Sequence, residues 1–470
     1  MKRKILVIIL FTLQFSLNYA QKTSKIKEFN PFNETTIYEK DDEKLTLITI
    51  RNRKIYLQNF DKQLNFQNQL DYTLSKSKFD KLVNVNYVEN GINLFFTNNK
   101  EKQFRIISIE EGKKGSYREV VFPFDSEKKE LFITFLNVEE KTFIVSVEKN
   151  TSTLNFYQIE NGNFVKKHTI DFSETFIEDA ESGKFYDVVQ KNKFQQILKN
   201  KENFAENLVS KYKFYVDNSK LFMTLDGTSF RTYVLKVDLK SFDFSFQEIK
   251  KQPLNKPYTL KNNSNSFIHS NKLFQTILNK EQVFVSVYDL EKNYFITKNI
   301  FNDKSKYENI QTIKYEGYSN MISVDKLDEK TDRKFRRVAI RNNPIISIYP
   351  DGSEICLELS SYKKVRENSG GWMVNSGGFY NQAGPVMVYF NSETRTKDID
   401  PGKENVLYTF LNPRDFNILF EFKSKSVLLR INEFLNEPDN KIESFILAHF
   451  KGKYVVFYKV KKEIKFKEFK

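Results

Sequence analysis

The residues this chain has least of limit its chemistry first. It holds one cysteine, Cys356, among 470 residues. A lone cysteine excludes an internal disulfide framework, so stability has to come from packing. Cys356 sits in the alternating run Glu354-Ile355-Cys356-Leu357-Glu358-Leu359, where a small buried side chain is expected and not a nucleophile. Histidine is nearly as scarce. His168, His269 and His449 each lie in or beside a different strand-like unit. No two of them have metal-ligand spacing, so no metal and no other cofactor is expected. There is no Gly-x-Ser-x-Gly elbow and no Cys-His context, so no catalytic residue is assigned. Beyond residue 20, no apolar run approaches the ~20 residues of a spanning helix.

Residues 1–20 stand apart from the rest. Lys2, Arg3 and Lys4 form a basic start, Ile5 to Leu17 an apolar core, and Asn18-Tyr19-Ala20 a small-residue end. That layout predicts a secretory signal peptide cut after Ala20, and hence an exported chain: periplasmic, cell-surface or secreted. An N-terminal membrane anchor is the competing reading, and the apolar run is short for it. With no cysteine at the cut, lipid attachment there is not expected.

Aromatic residues are abundant. They make up 15% of the chain, carried by 46 Phe and 24 Tyr beside a single Trp, and hydrophobic residues make up 40%. Such a chain can fill large sheet interfaces, which excludes disorder for most of it. The formal net charge is +15, with basic residues scattered instead of blocked. Only the tail, with Lys461, Lys462, Lys465, Lys467 and Lys470, is concentrated. Alternating lysines along an edge strand are solvated and deter edge-to-edge pairing. Any partner preference from this charge points to an anionic glycan of the envelope. Recognition motifs for nucleic acid are absent, so nucleic acid is not an expected partner.

The stretch from Leu131 to Phe172 shows the organisation. Runs at Leu131–Leu136, Thr142–Val147, Leu154–Ile159 and Asn163–Phe172 are joined by short polar turns. Phe143, Val145 and Val147 alternate with polar neighbours, the period of a strand. Four such strands in sequence predict an antiparallel meander. The unit recurs four more times before Phe301, starting near Thr35, Leu82, Tyr212 and Phe267. Asn90-Gly91, Asn161-Gly162, Asp226-Gly227 and Asp351-Gly352 supply tight-turn pairs. The hairpin between third and fourth strands repeats most plainly, around Asp61, Glu110, Glu160, Asp238 and Asp289. An apolar strand end precedes an acidic or amide turn there, and an aromatic usually opens the next strand. A spacing of about 50 residues is the period of a propeller blade.

After Phe301 the rhythm loosens. Strand-like runs continue at Val338–Ile340, Ile345–Tyr349, Ile355–Leu359, Val386–Phe390, Val406–Leu411, Phe416–Phe422 and Val427–Ile431, then at three runs from Phe445 to Phe469. Two segments interrupt the pattern. Over about 184–210, apolar residues at Phe185, Val188, Val189, Phe194, Ile197, Leu198, Ala205, Leu208 and Val209 predict two short amphipathic helices. Residues 368–385 hold five of the chain's 15 Gly and its only Trp. There Trp372, Phe379 and Tyr380 are candidate ligand-binding groups for a sugar face or a peptide side chain. The competing reading is an ordered hairpin whose aromatics tuck against a blade.

The expected fold is therefore all-β. It is a single β-propeller over 21–470, with about seven or eight four-stranded antiparallel meander blades and a short helical insertion. An outer-membrane β-barrel is the alternative, although lysine recurs where its apolar band should lie. Thr224-Leu225-Asp226-Gly227-Thr228-Ser229-Phe230 lacks the residue that an aspartate box places between Asp and Gly, and it does not repeat. No propeller-hydrolase family is assigned on it. The functional expectation is a non-catalytic extracytoplasmic binding or scaffold protein, with a protein or an anionic glycan as partner. The alternative is a carbohydrate-active enzyme using a pair of central carboxylates.

Overall fold

The computed structural model describes residues 23–24, 34–364 and 399–469, apart from short runs, the longest being 252–263. Strand β1 is Thr23–Ser24. Blade I comprises β2 (Glu34–Lys40), β3 (Lys44–Arg51), β4 (Lys54–Asp61) and β5 (Phe66–Thr73). Blade II is β6 (Lys81–Val88), β7 (Gly91–Thr97), β8 (Gln103–Glu110) and β9 (Arg118–Pro123). Blade III is β10 (Glu130–Val138), β11 (Lys141–Glu148), β12 (Thr153–Glu160) and β13 (Asn163–Asp171). Helix α1 (Phe185–Lys191) leads into blade IV: β14 (Gln195–Leu198), β15 (Tyr212–Asp217), β16 (Lys220–Leu225), β17 (Arg231–Asp238) and β18 (Phe244–Lys250). Blade V is β19 (Ser264–His269), β20 (Lys272–Leu278), β21 (Val283–Asp289) and β22 (Tyr294–Thr297). Blade VI is built from β23 (Gln311–Glu316), β24 (Asn320–Lys326), helix α2 (Glu329–Arg341), β25 (Asn343–Asp351), β26 (Glu354–Lys364), β27 (Ile399–Asp400) and β28 (Asn405–Leu411). Helix α3 (Val427–Asn436) precedes blade VII, which is β29 (Ser444–Phe450), β30 (Lys453–Val460) and β31 (Glu463–Phe469).

These strands form seven separate sheets among the described residues, the blades of a seven-bladed β-propeller. Seven sheets instead of one closed sheet rule out the outer-membrane barrel alternative. Within a blade the burial gradient gives the radial direction. The fourth strands β5, β13 and β18 are mostly exposed, whereas the first strand of blade V, β19, is buried throughout. First strands therefore face inward. The ring closes where Thr23 and Ser24 pair with Lys465 and Ile464, so the N-terminal strand is the outer strand of the last blade.

Phenylalanine fills the seams. Phe104 meets Phe135 edge-on at 4.8 Å between blades II and III, and Phe60 meets Phe457 at 5.5 Å between blades I and VII. Burying one such side chain contributes about 1.5–3 kcal/mol, so a few per seam decide the stacking.

In blades I, IV and V the recurring third-to-fourth hairpin has one mechanism. Asp238 Oδ1 accepts the Lys240 and Ser241 amides, and Asp289 Oδ1 accepts the Glu291 and Lys292 amides. Asp61 and Asn412 cap their turns in the same way. These bonds hold the Asp238 carboxyl below its ordinary range. A left-handed residue follows: Leu64 (φ 60°), Phe242 (φ 64°), Asn293 (φ 59°) and Phe416 (φ 58°). In three blades that residue is large and apolar, and it plugs into the preceding blade. Phe242 packs on Phe143 and Phe156 at 5.9 and 5.5 Å and stacks on His168 at 3.7 Å. Phe416 meets Phe274 at 5.3 Å, and Leu64 joins the cluster holding Phe457 and Phe466.

Several expectations change. Blade IV gains a fifth strand. The predicted second insertion helix is instead β14, which pairs parallel with β15 through Ile197↔Tyr215. Phe194 stacks on Phe214 at 5.2 Å and Ile197 is buried, so tertiary packing overrides a three-and-four spacing too short to settle the period. Blade VI is not a meander: its strand order is β24-β23-β28-β26-β25, with β27 on β26. The runs at Val338–Ile340 and Val427–Ile431 are helical, in α2 and α3. Asp328 caps α2 at 2.6 Å, supported by the Asp332–Arg336 pair at 2.9 Å, and Ser426 caps α3 at 3.3 Å. At Phe416–Phe422 the described part is a turn with a single bridge, Leu411↔Ile418. Val386–Phe390 lies outside the described residues. Asp351-Gly352 makes its predicted two-residue hairpin, whereas Asp226-Gly227 sits in a longer loop, 226–230, joining the antiparallel pair β16 and β17, with Asp226 fully buried in an ion pair.

Candidate functional site

Three two-residue turns bring the inner strand ends of blades V, VI and VII together. Ser270-Asn271 (φ 48° and 58°) joins β19 to β20, and Lys451-Gly452 (φ 54° and 69°) joins β29 to β30. Both central residues are left-handed, as a twist-matched hairpin requires. Gly352 (φ 63°) opens the third turn, between β25 and β26. Between these turns lies a cavity of about 320 Å³, lined by His269, Pro350, Asp351, Gly352, Val427, His449, Gly452 and Tyr454. A Cβ on Gly352 or Gly452 would meet nothing within 4 Å.

The cavity's polar groups are held from behind. Asp351 Oδ2 accepts the Val427 amide at 2.8 Å, and Oδ1 lies 3.7 Å from Arg430 Nη2, which ties the hairpin to α3. His449 meets the buried Tyr454 ring edge-on at 5.0 Å, and His269 is 9% exposed. Two of the chain's three histidines therefore line one cavity, although they are far apart in sequence. The third, His168, lies under Phe242; burial, then Lys166 and Lys141, hold it below its ordinary range. Among the described residues, no group of three or more His, Cys, Asp or Glu is arranged to hold a metal ion.

The seam between blades VI and VII lies beside this cavity. The Tyr349 hydroxyl donates to Glu358 Oε1 at 2.6 Å. Burial pushes the Glu358 carboxyl up to about 7. Cys356 is fully buried, and burial raises its thiol well above its ordinary value. It stays protonated at neutral pH, as a packing residue should.

A second polar cluster fills the seam between blades IV and V. Lys251 Nζ lies 2.6 Å from Asp226 Oδ1, with both side chains fully buried. Thr232 donates to the same oxygen at 2.8 Å, Gln275 donates to Thr232 at 2.9 Å, and Lys251 donates to Ser264 at 2.7 Å. Beside them Lys213, also fully buried, donates to the Ser266 carbonyl at 2.9 Å and to Asn265 Oδ1. Burial pulls the Lys213 amine down to about 7. Charged residues alternating in a strand read as a solvent face, so sequence carried no signal for this cluster. The predicted ligand-binding residues Trp372, Phe379 and Tyr380 lie outside the described residues, as does the whole of 368–385.

No family model matches this chain, and no curated protein matches it. Solved structures match weakly. The WD40 domain of SCAP from fission yeast shares 10% identity over 93% of this chain and 87% of its own, with a TM-score of 0.29. A prolyl endopeptidase structure shares 9% identity over 73% of this chain, with a TM-score of 0.32. Cobalt-substituted Synechocystis ACO shares 9% over 53%, with a TM-score of 0.28. The chain spans 48% of the endopeptidase and 56% of the Synechocystis protein. At these scores the likenesses add nothing to what the seven sheets themselves show.

Proposed function

We propose that this propeller is an exported, non-catalytic binding or scaffold protein of the cell envelope, and that its inner-hairpin face takes a protein or an anionic glycan. The observation that carries this reading is the cavity at the meeting of blades V, VI and VII. It joins two imidazoles and a tyrosine to turn backbone in a recess of about 320 Å³, a size suited to a side chain or one sugar unit. Its lining supplies one carboxylate, Asp351, already engaged by Val427 and Arg430. A glycosidase needs two facing carboxyl groups, so the lining favours binding over the carbohydrate-active alternative. Trp372, Phe379 and Tyr380 would add stacking contacts from 368–385.

The test is capture. Immobilised protein is exposed to envelope extract and to a panel of anionic polysaccharides, beside a His269→Ala/His449→Ala variant and a variant lacking 368–385. Capture by the parent that drops at least tenfold in the double-histidine variant supports the reading. Capture unchanged in both variants refutes it, and turnover of a polysaccharide would favour the enzymatic alternative.

A further inference from the structure

Lys213 of β15 and Asn265 of β19 meet in the seam between blades IV and V. Lys213 Nζ touches the Asn265 carboxamide with both residues fully buried. Nζ and carboxamide belong to different blades, so the fold alone brings them together. The carboxamide is held at both ends. Its Oδ1 also accepts the Ser266 amide at 2.8 Å. Its Nδ2 donates to the Pro344 carbonyl at 2.9 Å and to the Leu208 carbonyl at 3.2 Å. A third participant is Asp226, whose charge acts on Lys213. Its Oδ1 is taken by Lys251 and Thr232, and its buried Oδ2 has no hydrogen-bond partner among the described residues.

We propose that Lys213 and Asn265 join in an intramolecular isopeptide bond, a covalent staple between blades IV and V. The uncharged Nζ of Lys213 attacks Cγ of Asn265. The Nζ–Cγ bond forms and the Cγ–Nδ2 bond breaks. The proton lost by the amine passes to Nδ2, which leaves as ammonia, and the Asp226 charge stabilises the cationic amine formed on attack. Atoms balance, no electrons change hands and no co-reactant is needed.

Each part has a physical reason. Burial of Lys213 favours the uncharged amine, the nucleophilic form. The Ser266 amide points at the oxygen on which negative charge grows during attack. Lys251 fixes the Asp226 carboxylate in place through Oδ1. Pre-positioning replaces an encounter between two groups by a step within one folded molecule. Exclusion of water protects the amide once formed.

The experiment is mass spectrometry of the full chain, purified and denatured. The expected result is an intact mass lighter than the sequence by one ammonia, together with a branched proteolytic peptide joining Lys213 to Asn265. Asn265→Ala should restore the full mass, and Asp226→Asn should leave a slowly closing, uncrosslinked fraction. Because no variant is needed for the first readout, a folding defect cannot obscure it. A wild-type chain giving linear peptides with unmodified Lys213 and Asn265 overturns the proposal. So does an ammonia loss that maps elsewhere, as to cyclised Gln21.

Discussion

Replacing Lys251 by methionine should destabilise the propeller far more than the loss of one ion pair on a surface. Both charges of the Lys251–Asp226 pair are fully buried, 2.6 Å apart. With an effective dielectric of ~20, the gross attraction is roughly 6 kcal/mol. Desolvating the two ions costs several kcal/mol each, so the net worth of the intact pair is near zero. Removing the lysine alone leaves the desolvation of Asp226 uncompensated, with the Thr232 hydroxyl as a remaining donor. The expected loss is about 3–5 kcal/mol. Unfolding entropy of ~2 cal/mol/K per residue makes this roughly 3–5 °C in melting temperature for a chain of this size. The variant Asp226→Leu/Lys251→Met removes both charges, so it should recover part of that loss, the rest being held back by Lys213 and Thr232, which lose Asp226 as a partner. Calorimetry on the three proteins decides the matter. A single variant within ~1 °C of the parent, or a double variant worse than the single, would refute the reasoning.

Other outcomes follow from particular contacts. Phe242 has φ 64°, a conformation that costs a bulky residue about 1–2 kcal/mol. Phe242→Gly should therefore be more stable than Phe242→Ala by about 1 kcal/mol in urea titrations, while both fall below the parent because Phe143, Phe156 and His168 lose their cover. In Gly91→Ala the new Cβ would lie 2.0 Å from the Ile109 carbonyl oxygen, so blade II should be disrupted, read as a loss of amide protection in β7 and β8. Glu358 ordinarily titrates at 4.5 and is raised to about 7 by burial, so between those values the folded chain binds more protons than the unfolded one. Its contribution is present below 4.5 and is lost as pH rises through about 7. Melting temperature should fall across that window, and Glu358→Gln should flatten the fall.

The blades before Phe301 were legible because each strand pairs with its neighbour in sequence and alternation alone marks it. The turns at Asp61, Asp238 and Asp289 were visible as punctuation, although the cap at Asn412 was not. What they set up was not visible, since nothing local announces that Phe242 or Phe416 will take left-handed angles and plug the preceding blade. Val427–Ile431 misled because a short apolar run fits either period, and the Ser426 cap was the overlooked signal. The cavity was beyond reach for a different reason. His269 and His449 belong to blades V and VII, and only closure of the ring brings them to one recess. Lys213 and Asp226 were hidden in the same way: their burial depends on a neighbouring blade that neither strand encodes.

Blade VI departs from nearest-neighbour pairing in a way that bears on how the chain is made. Strand β23 pairs with β28, through Gln311↔Tyr408 and Thr312↔Leu407, and β25 and β26 intervene in the chain. During synthesis from the N-terminus, the β23–β24 ribbon therefore emerges well before the partner that will cover its inner edge. Until that partner arrives, a bare row of amides and carbonyls stands open to any passing strand, including the same ribbon of a second nascent chain. Swapped dimers and aggregates of this protein should begin there, and a chaperone that shields strand edges should raise its yield most at that stage of translation.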